Sequence, residues 1–172
     1  MTSFFDITST LPWPNAIGKR TAVGPLVGAA ESEAISELVR TTPLILVITA
    51  TTAAAHNLAS ELPFFLSDDR EILLVPDWET LPYDNFSPHE DIVSDRLKAL
   101  SRLPTLKSGV VIVSVTTLMH RLAPRHFIDA GVLSLKTGET IDAEQFVRNL
   151  TRNGYRSVDT VYEHGEFATR GS

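Results

Sequence analysis

Residues 43–50 read P-L-I-L-V-I-T-A, a continuous apolar run of strand length opened by Pro43. Flanked by helical patterns, such a run predicts a strand buried on both faces of a parallel sheet. Downstream, Thr51 or Thr52 is placed to cap a helix whose apolar stripe is Ala55, Leu58, Ala59, Leu62 and Phe65. Upstream, a helix is expected from about Ser32 to Arg40, with Ile35, Leu38 and Val39 apolar. Two further strands follow from E-I-L-L-V at 71–75 and the strongly β-branched G-V-V-I-V-S-V at 109–115. Strands alternating with helices predict an α/β fold, a doubly wound layer around a parallel sheet.

Between the last two strands lies D-W-E-T-L-P-Y-D-N-F-S-P-H-E-D-I-V-S-D-R-L-K-A-L-S-R-L, residues 77–103. Ser87 as cap, Pro88 at the first helical position and Glu90 three residues after the cap predict a helix start. Ile92, Val93, Leu97, Leu100 and Leu103 are expected to form its apolar stripe, and Pro104 to stop it. Residues 77–86 read as an ordered connection packed by Trp78, Tyr83 and Phe86. Thr116 is expected to cap a short helix through Leu122, ended by Pro124.

After Pro124 the pattern changes. Val132–Lys136 predicts a short strand closing on a Thr137-Gly138 turn. Asp142 caps a helix with Gln145 at its third position, Ile141 and Phe146 are spaced as a hydrophobic staple, and Gly154 terminates it. The alternation S-V-D-T-V-Y at 157–162 predicts a half-exposed strand. The expected organisation is therefore a parallel-sheet lobe over residues 1–126, then part of a small α+β domain over 127–172. The strand character of E-F-A-T near the end has no expected partner, which predicts that the second domain continues past Ser172.

The chain has 172 residues, 43% hydrophobic and 21% charged, ordinary proportions for a globular protein. It has no apolar run of about 18 residues and no signal-like start, so neither a membrane span nor export is expected, and a cytoplasmic location fits. Absence of cysteine excludes disulfides, thiolate nucleophiles and zinc-thiolate sites. A net charge of -6, with Arg121–His126 as the longest basic cluster, argues against an independent grip on DNA.

Gly24–Ser32, G-P-L-V-G-A-A-E-S, sits where a phosphate-binding loop would. Such a loop needs backbone N–H donors, a Lys for the phosphates and a hydroxyl for magnesium. With Gly28 in the loop and Ser32 as the hydroxyl, Ala30 stands for the last glycine and Glu31 for the lysine, while Pro25 removes a donor. An ordinary turn into a helix is the simpler reading; an atypical nucleotide-binding or enzymatic loop is the competing one. His89 beside Glu90 and Asp91 invites a metal, but helix capping accounts for both acids. Asp77 and Glu79 lack a nucleophilic partner for acid–base work, and Asp68-Asp69 reads as a solvated turn. His56, His120, His126 and His164 form no ligand spacing. Phe4-Phe5 and Phe64-Phe65 read as packing residues, as does Trp13. At the end, E-H-G-E-F-A-T-R-G joins Phe167 and Arg170 beside a turn, residue types enriched in protein-binding hot spots.

W-E-T-L-P-Y-D-N-F-S-P-H-E-D-I at 78–92 resembles a signature of the bacterial transcription-repair coupling factor family, Mfd. V-I-V-S-V-T-T-L-M-H-R-L-A-P, N-G-Y-R-S-V-D-T-V-Y and E-H-G-E-F-A-T-R-G resemble further landmarks of that family in the same order, across about residues 75–170. The resemblance implies a degenerate helicase-like lobe similar to that of the excision-repair protein UvrB, followed by the start of a domain that binds UvrA. UvrB keeps Gly and Lys where this chain has Ala30 and Glu31, so ATP binding is not carried over; the ATP- and magnesium-dependent motor is implied to lie in other parts of the family's proteins. Contacts with RNA polymerase and DNA are likewise implied for those other parts. Arg170 matches the Arg of the family's F-x-x-R-G segment, used for the UvrA contact, with Phe167 the Phe of that segment. No catalytic residue and no cofactor is implied for this chain.

Overall fold

The computed structural model describes residues 16–67, 70–81, 83–133 and 135–170. The expectations for Phe4-Phe5, Trp13 and Asp68-Asp69 lie outside the described residues. The chain divides into two compact units: residues through Val75 with Thr105–Met119, and Pro76–Pro104 with the residues from His120 onward. The division expected at 126/127 falls within the second unit.

The first unit contains α1 (Ala30–Thr41), β1 (Leu44–Thr49), α2 (Thr52–Glu61), β2 (Glu71–Val75), β3 (Gly109–Ser114) and α4 (Val115–Met119). It is the expected α/β arrangement around a small, wholly parallel sheet, in the order β1-β3-β2. β3 is central, and all six of its residues are buried. Ile45 and Ile72 flank Val110, and Val47 and Leu74 flank Ile112. These side chains share one face and pack with Val39 of α1, Ala55 and Leu58 of α2, and Leu62 just beyond. Each fully buried aliphatic side chain here gains about 1.5–3 kcal/mol over its exposed state.

The expectation that residues 43–50 are buried on both faces is corrected. Leu44, Leu46 and Ile48 remain 40%, 55% and 51% exposed. β1 is an edge strand, and α1 and α2 contribute to the same core face, so its side chains alternate between core and surface. The helix that follows β2, α3 (Glu90–Arg102), groups with the second unit.

Gly109 opens β3 at φ +132°, and its N–H donates to the Pro43 carbonyl at 2.7 Å. A Cβ there would run into the Glu71 carbonyl oxygen, so strands β1, β2 and β3 meet at a position only glycine fits. Thr51 is the cap of α2, its Oγ1 accepting the Ala54 N–H at 3.1 Å. Leu62–Phe64 continues as a 3₁₀ turn carrying Pro63, which leaves Leu62 in the core and turns Phe64 outward, correcting its expected packing role. α4 is shorter than expected: Thr116 lies inside it, Ser114 Oγ accepts the Thr117 N–H at 3.2 Å, and the helix ends at Met119.

In the second unit, α3 (Glu90–Arg102) begins two residues later than expected. Its cap is His89, whose Nδ1 accepts the Asp91 N–H at 3.3 Å. Its inward face is Arg96 and Ala99, whereas Leu97 and Leu103 are exposed. Arg96 is 1% exposed. It donates from NH1 to the Pro76 carbonyl at 2.6 Å and lies 4.6 Å from the Trp78 ring centroid. Its Nε and NH2 find no acceptor among the described residues. Burial pushes the guanidinium pKa down, against the pull of Asp77. Arg96 and Trp78 thus anchor the connection before α3, while Tyr83 and Phe86, expected to pack it, are exposed.

α5 (Arg125–Gly131), not anticipated, buries Ile128, packs against α3 and carries an Arg125–Asp129 pair at 3.3 Å. Among the described residues of 132–136 there is no strand, and Val132, Leu133 and Leu135 are exposed. α6 (Ala143–Arg152) starts as expected, with Asp142 Oδ1 accepting the Gln145 N–H at 3.0 Å. Gly154, at φ +89°, turns the chain out so that the Tyr155 N–H reaches the Leu150 carbonyl at 3.0 Å. The expected strand at 157–162 shortens to β4 (Arg156–Ser157), and β5 (Glu166–Phe167) pairs with it in parallel. Phe167 therefore does have a strand partner.

Candidate functional site

In the segment read as a degenerate phosphate loop, Gly28 has φ +62° and Ala29 stands at the helix cap position without a side-chain bond. Ala30 opens α1, and Glu31 lies in its first turn. Ser32 is fully buried and donates its hydroxyl proton to Glu61 Oε2 at 3.0 Å. The side chains thus set one carboxylate where a phosphate loop carries an ammonium group and engage the hydroxyl with a second. This donor set does not fit a nucleoside triphosphate with its magnesium ion.

The other candidate lies in the second unit, around β4 and β5. The Arg156 N–H donates to the Gly165 carbonyl at 2.8 Å and the Val158 N–H to the Phe167 carbonyl at 2.9 Å. Glu166 folds the intervening turn by accepting the N–H groups of Tyr162 at 3.0 Å and Glu163 at 3.2 Å. Those two bonds, first Tyr162 and then Glu163, hold its carboxyl below the usual range, with the Arg156 charge acting in the same direction. Arg156 NH2 lies 3.3 Å from Glu163, 3.4 Å from Glu166 and 3.7 Å from Glu90. Phe167 is 9% exposed, and Arg170 beyond it is exposed. The two predicted contact residues therefore differ in placement: Phe167 anchors the segment and Arg170 faces solvent.

His89, weighed as a ligand with Glu90 and Asp91, sits with Nδ1 3.4 Å from Asp91 Oδ2. His164 Nε2 lies 3.2 Å from Asp91 Oδ1. Among the described residues no group of three or more His, Asp or Glu side chains is arranged to hold a metal ion. Asp77 Oδ1 accepts the Glu79 N–H at 3.2 Å, a local turn bond. The role of His164 was not legible in the sequence, because its partner comes from a helix far back along the chain. No described helix is long and apolar enough to cross a membrane.

A small parallel α/β layer followed by a short β–turn–β segment built around Arg156 and Glu166 is the class of structure defined here. Residues 133–172 match the family described as the UvrB interaction domain. A transcription-repair-coupling factor of Escherichia coli is 41% identical over 160 residues, 92% of this chain and 14% of that protein. Its counterpart in Haemophilus influenzae is 40% identical over 151 residues, 87% of this chain and 13% of that protein. One from Mycobacterium tuberculosis is 39% identical over 145 residues, 79% of this chain and 11% of that protein. Over this span the chain belongs to the transcription-repair-coupling factor family, and it spans about 14% of the length of the first of these relatives.

Proposed function

We propose that this chain is a non-catalytic adaptor module of a transcription-repair coupling factor, and that its segment from about residue 127 recruits the nucleotide-excision-repair protein UvrA. The observation that carries this reading is the match of residues 133–172 to the UvrB interaction domain, together with an exposed Arg170 next to the buried anchor Phe167. An exposed arginine a few residues past a short strand suits a protein contact because its planar fork loses little freedom on binding. Residues 1–126 serve as the supporting lobe, without a nucleotide of their own. The release of stalled RNA polymerase from damaged DNA, and the ATP- and magnesium-dependent translocation behind it, belong on this reading to other parts of the whole protein, working in the cytoplasm. Titration of purified UvrA into the 172-residue chain tests the reading: saturable one-to-one binding is expected, and absence of binding at tens of micromolar would contradict it.

A further inference from the structure

Helix α3 lies outside the span matched to the UvrB interaction domain, yet its first turn holds the strand pair of that span. Two independent links make the connection. Glu90 faces Arg156, the first residue of β4, at 3.7 Å. Asp91 faces His164 in the turn before β5 at 3.2 Å, and the other ring nitrogen of His164 lies 3.4 Å from the Ser94 hydroxyl one helical turn on. Gly165 sits close above as well: a Cβ on it would come within 3.9 Å of Glu90 Oε2. The carboxylates lie at the N-terminal end of α3, where the helix dipole already favours them.

A segment of two two-residue strands has little stability of its own. Its turn is set by Glu166, and its strand pairing by the Arg156 and Val158 N–H groups. Arg156 is shared between the turn, through Glu163 and Glu166, and the helix, through Glu90. The first turn of the helix is therefore linked through Arg156 and His164 to the turn from which Phe167 and Arg170 leave. We infer that Glu90 and Asp91 are positioning residues for the partner-binding segment at 162–170, an inference that rests on the proposed UvrA contact but has a readout independent of it.

Hydrogen exchange of the 172-residue chain reads the anchoring directly. In Glu90→Gln/Asp91→Asn the Arg156 and Val158 amides exchange at least about fivefold faster, with the amides of β3 unchanged, and Glu90→Asp/Asp91→Glu restores most of the protection. His164→Ala gives the same local acceleration from the other side of the link. Unchanged exchange at Arg156 and Val158 in both variants overturns the inference, whatever the partner. The second arm measures UvrA affinity in a double-mutant cycle. Glu90→Gln/Asp91→Asn weakens binding about fivefold in the wild-type background and adds almost nothing to Arg170→Ala, because the helix acts through the placement of that arginine. Fully additive losses overturn the positioning role. If the wild-type chain binds no UvrA, the functional reading fails, and the exchange arm still decides the anchoring.

Discussion

Ser32 Oγ donates to Glu61 Oε2 at 3.0 Å, joining the first turn of α1 to the last residue of α2. The hydroxyl is buried and the carboxylate lies at the surface. Glu61→Ala leaves that hydroxyl without its acceptor and is expected to cost about 1–2 kcal/mol, read as a fall in melting temperature of roughly 2–8 °C. Millimolar ATP with magnesium is expected to leave the melting temperature of the wild-type chain unchanged. A dose-dependent rise of several degrees would restore a nucleotide role to residues 24–32.

Gly109→Ala places a Cβ against the Glu71 carbonyl and keeps the backbone in a left-handed conformation that alanine resists. The expected loss is about 3 kcal/mol, visible as a lower denaturant midpoint with little change in slope. A midpoint equal to wild type would show that β3 can shift without cost and that the three-strand register is not set there.

Arg96 gives a rank order rather than a single value. Its guanidinium lies over Trp78, donates to Pro76 and leaves two nitrogens without acceptors among the described residues. Methionine keeps the packing volume and removes a buried charge. Lysine keeps the charge but loses the planar fork. Arg96→Lys is expected to destabilise by about 2 kcal/mol and by more than Arg96→Met does. A larger loss for methionine than for lysine in thermal melts would contradict this order and show that the cation's contacts with Trp78 and the Pro76 carbonyl outweigh the cost of its burial.

The acid limb of stability has a defined sign at Glu166. Its carboxyl is held below the usual range in the folded chain, so its contribution is present above the unfolded value and is lost as pH falls through the folded one. Acidification through and below the ordinary carboxylate range is therefore expected to loosen the 162–166 turn. Glu166→Gln should flatten this part of the profile when the Tyr162 and Glu163 amides are followed by NMR. An unaltered profile in that variant would assign the acid sensitivity to another group.

Local chemistry made much of this fold legible in the sequence. β2 spans the expected residues 71–75, and Thr51 and Asp142 cap their helices because a side-chain oxygen and an amide three residues on need nothing from elsewhere. The start of α3 misled for a local reason as well. Ser87 precedes Pro88, which disfavours helical backbone there, and His89, in an extended-type conformation, supplies an imidazole acceptor that cap preferences do not rank highly. Non-local features were out of reach. The burial of Arg96 depends on the Pro76 carbonyl and the Trp78 ring, and the two-sided burial of β3 depends on being the central strand, which apolar content alone does not separate from β1. At the candidate site, Phe167 and Arg170 were singled out by residue type and resemblance, whereas the links of Glu90 and Asp91 to Arg156 and His164 follow only from the tertiary fold.

On the proposed function, the exposed end of the 162–170 segment meets UvrA through Arg170. The most direct test of that contact is the dissociation constant of purified UvrA for the wild-type chain against Arg170→Ala, measured calorimetrically at one salt concentration. A loss of about 2 kcal/mol, roughly thirtyfold, is expected, with the melting temperature unchanged because Arg170 is exposed. Equal affinities for the two proteins would contradict it.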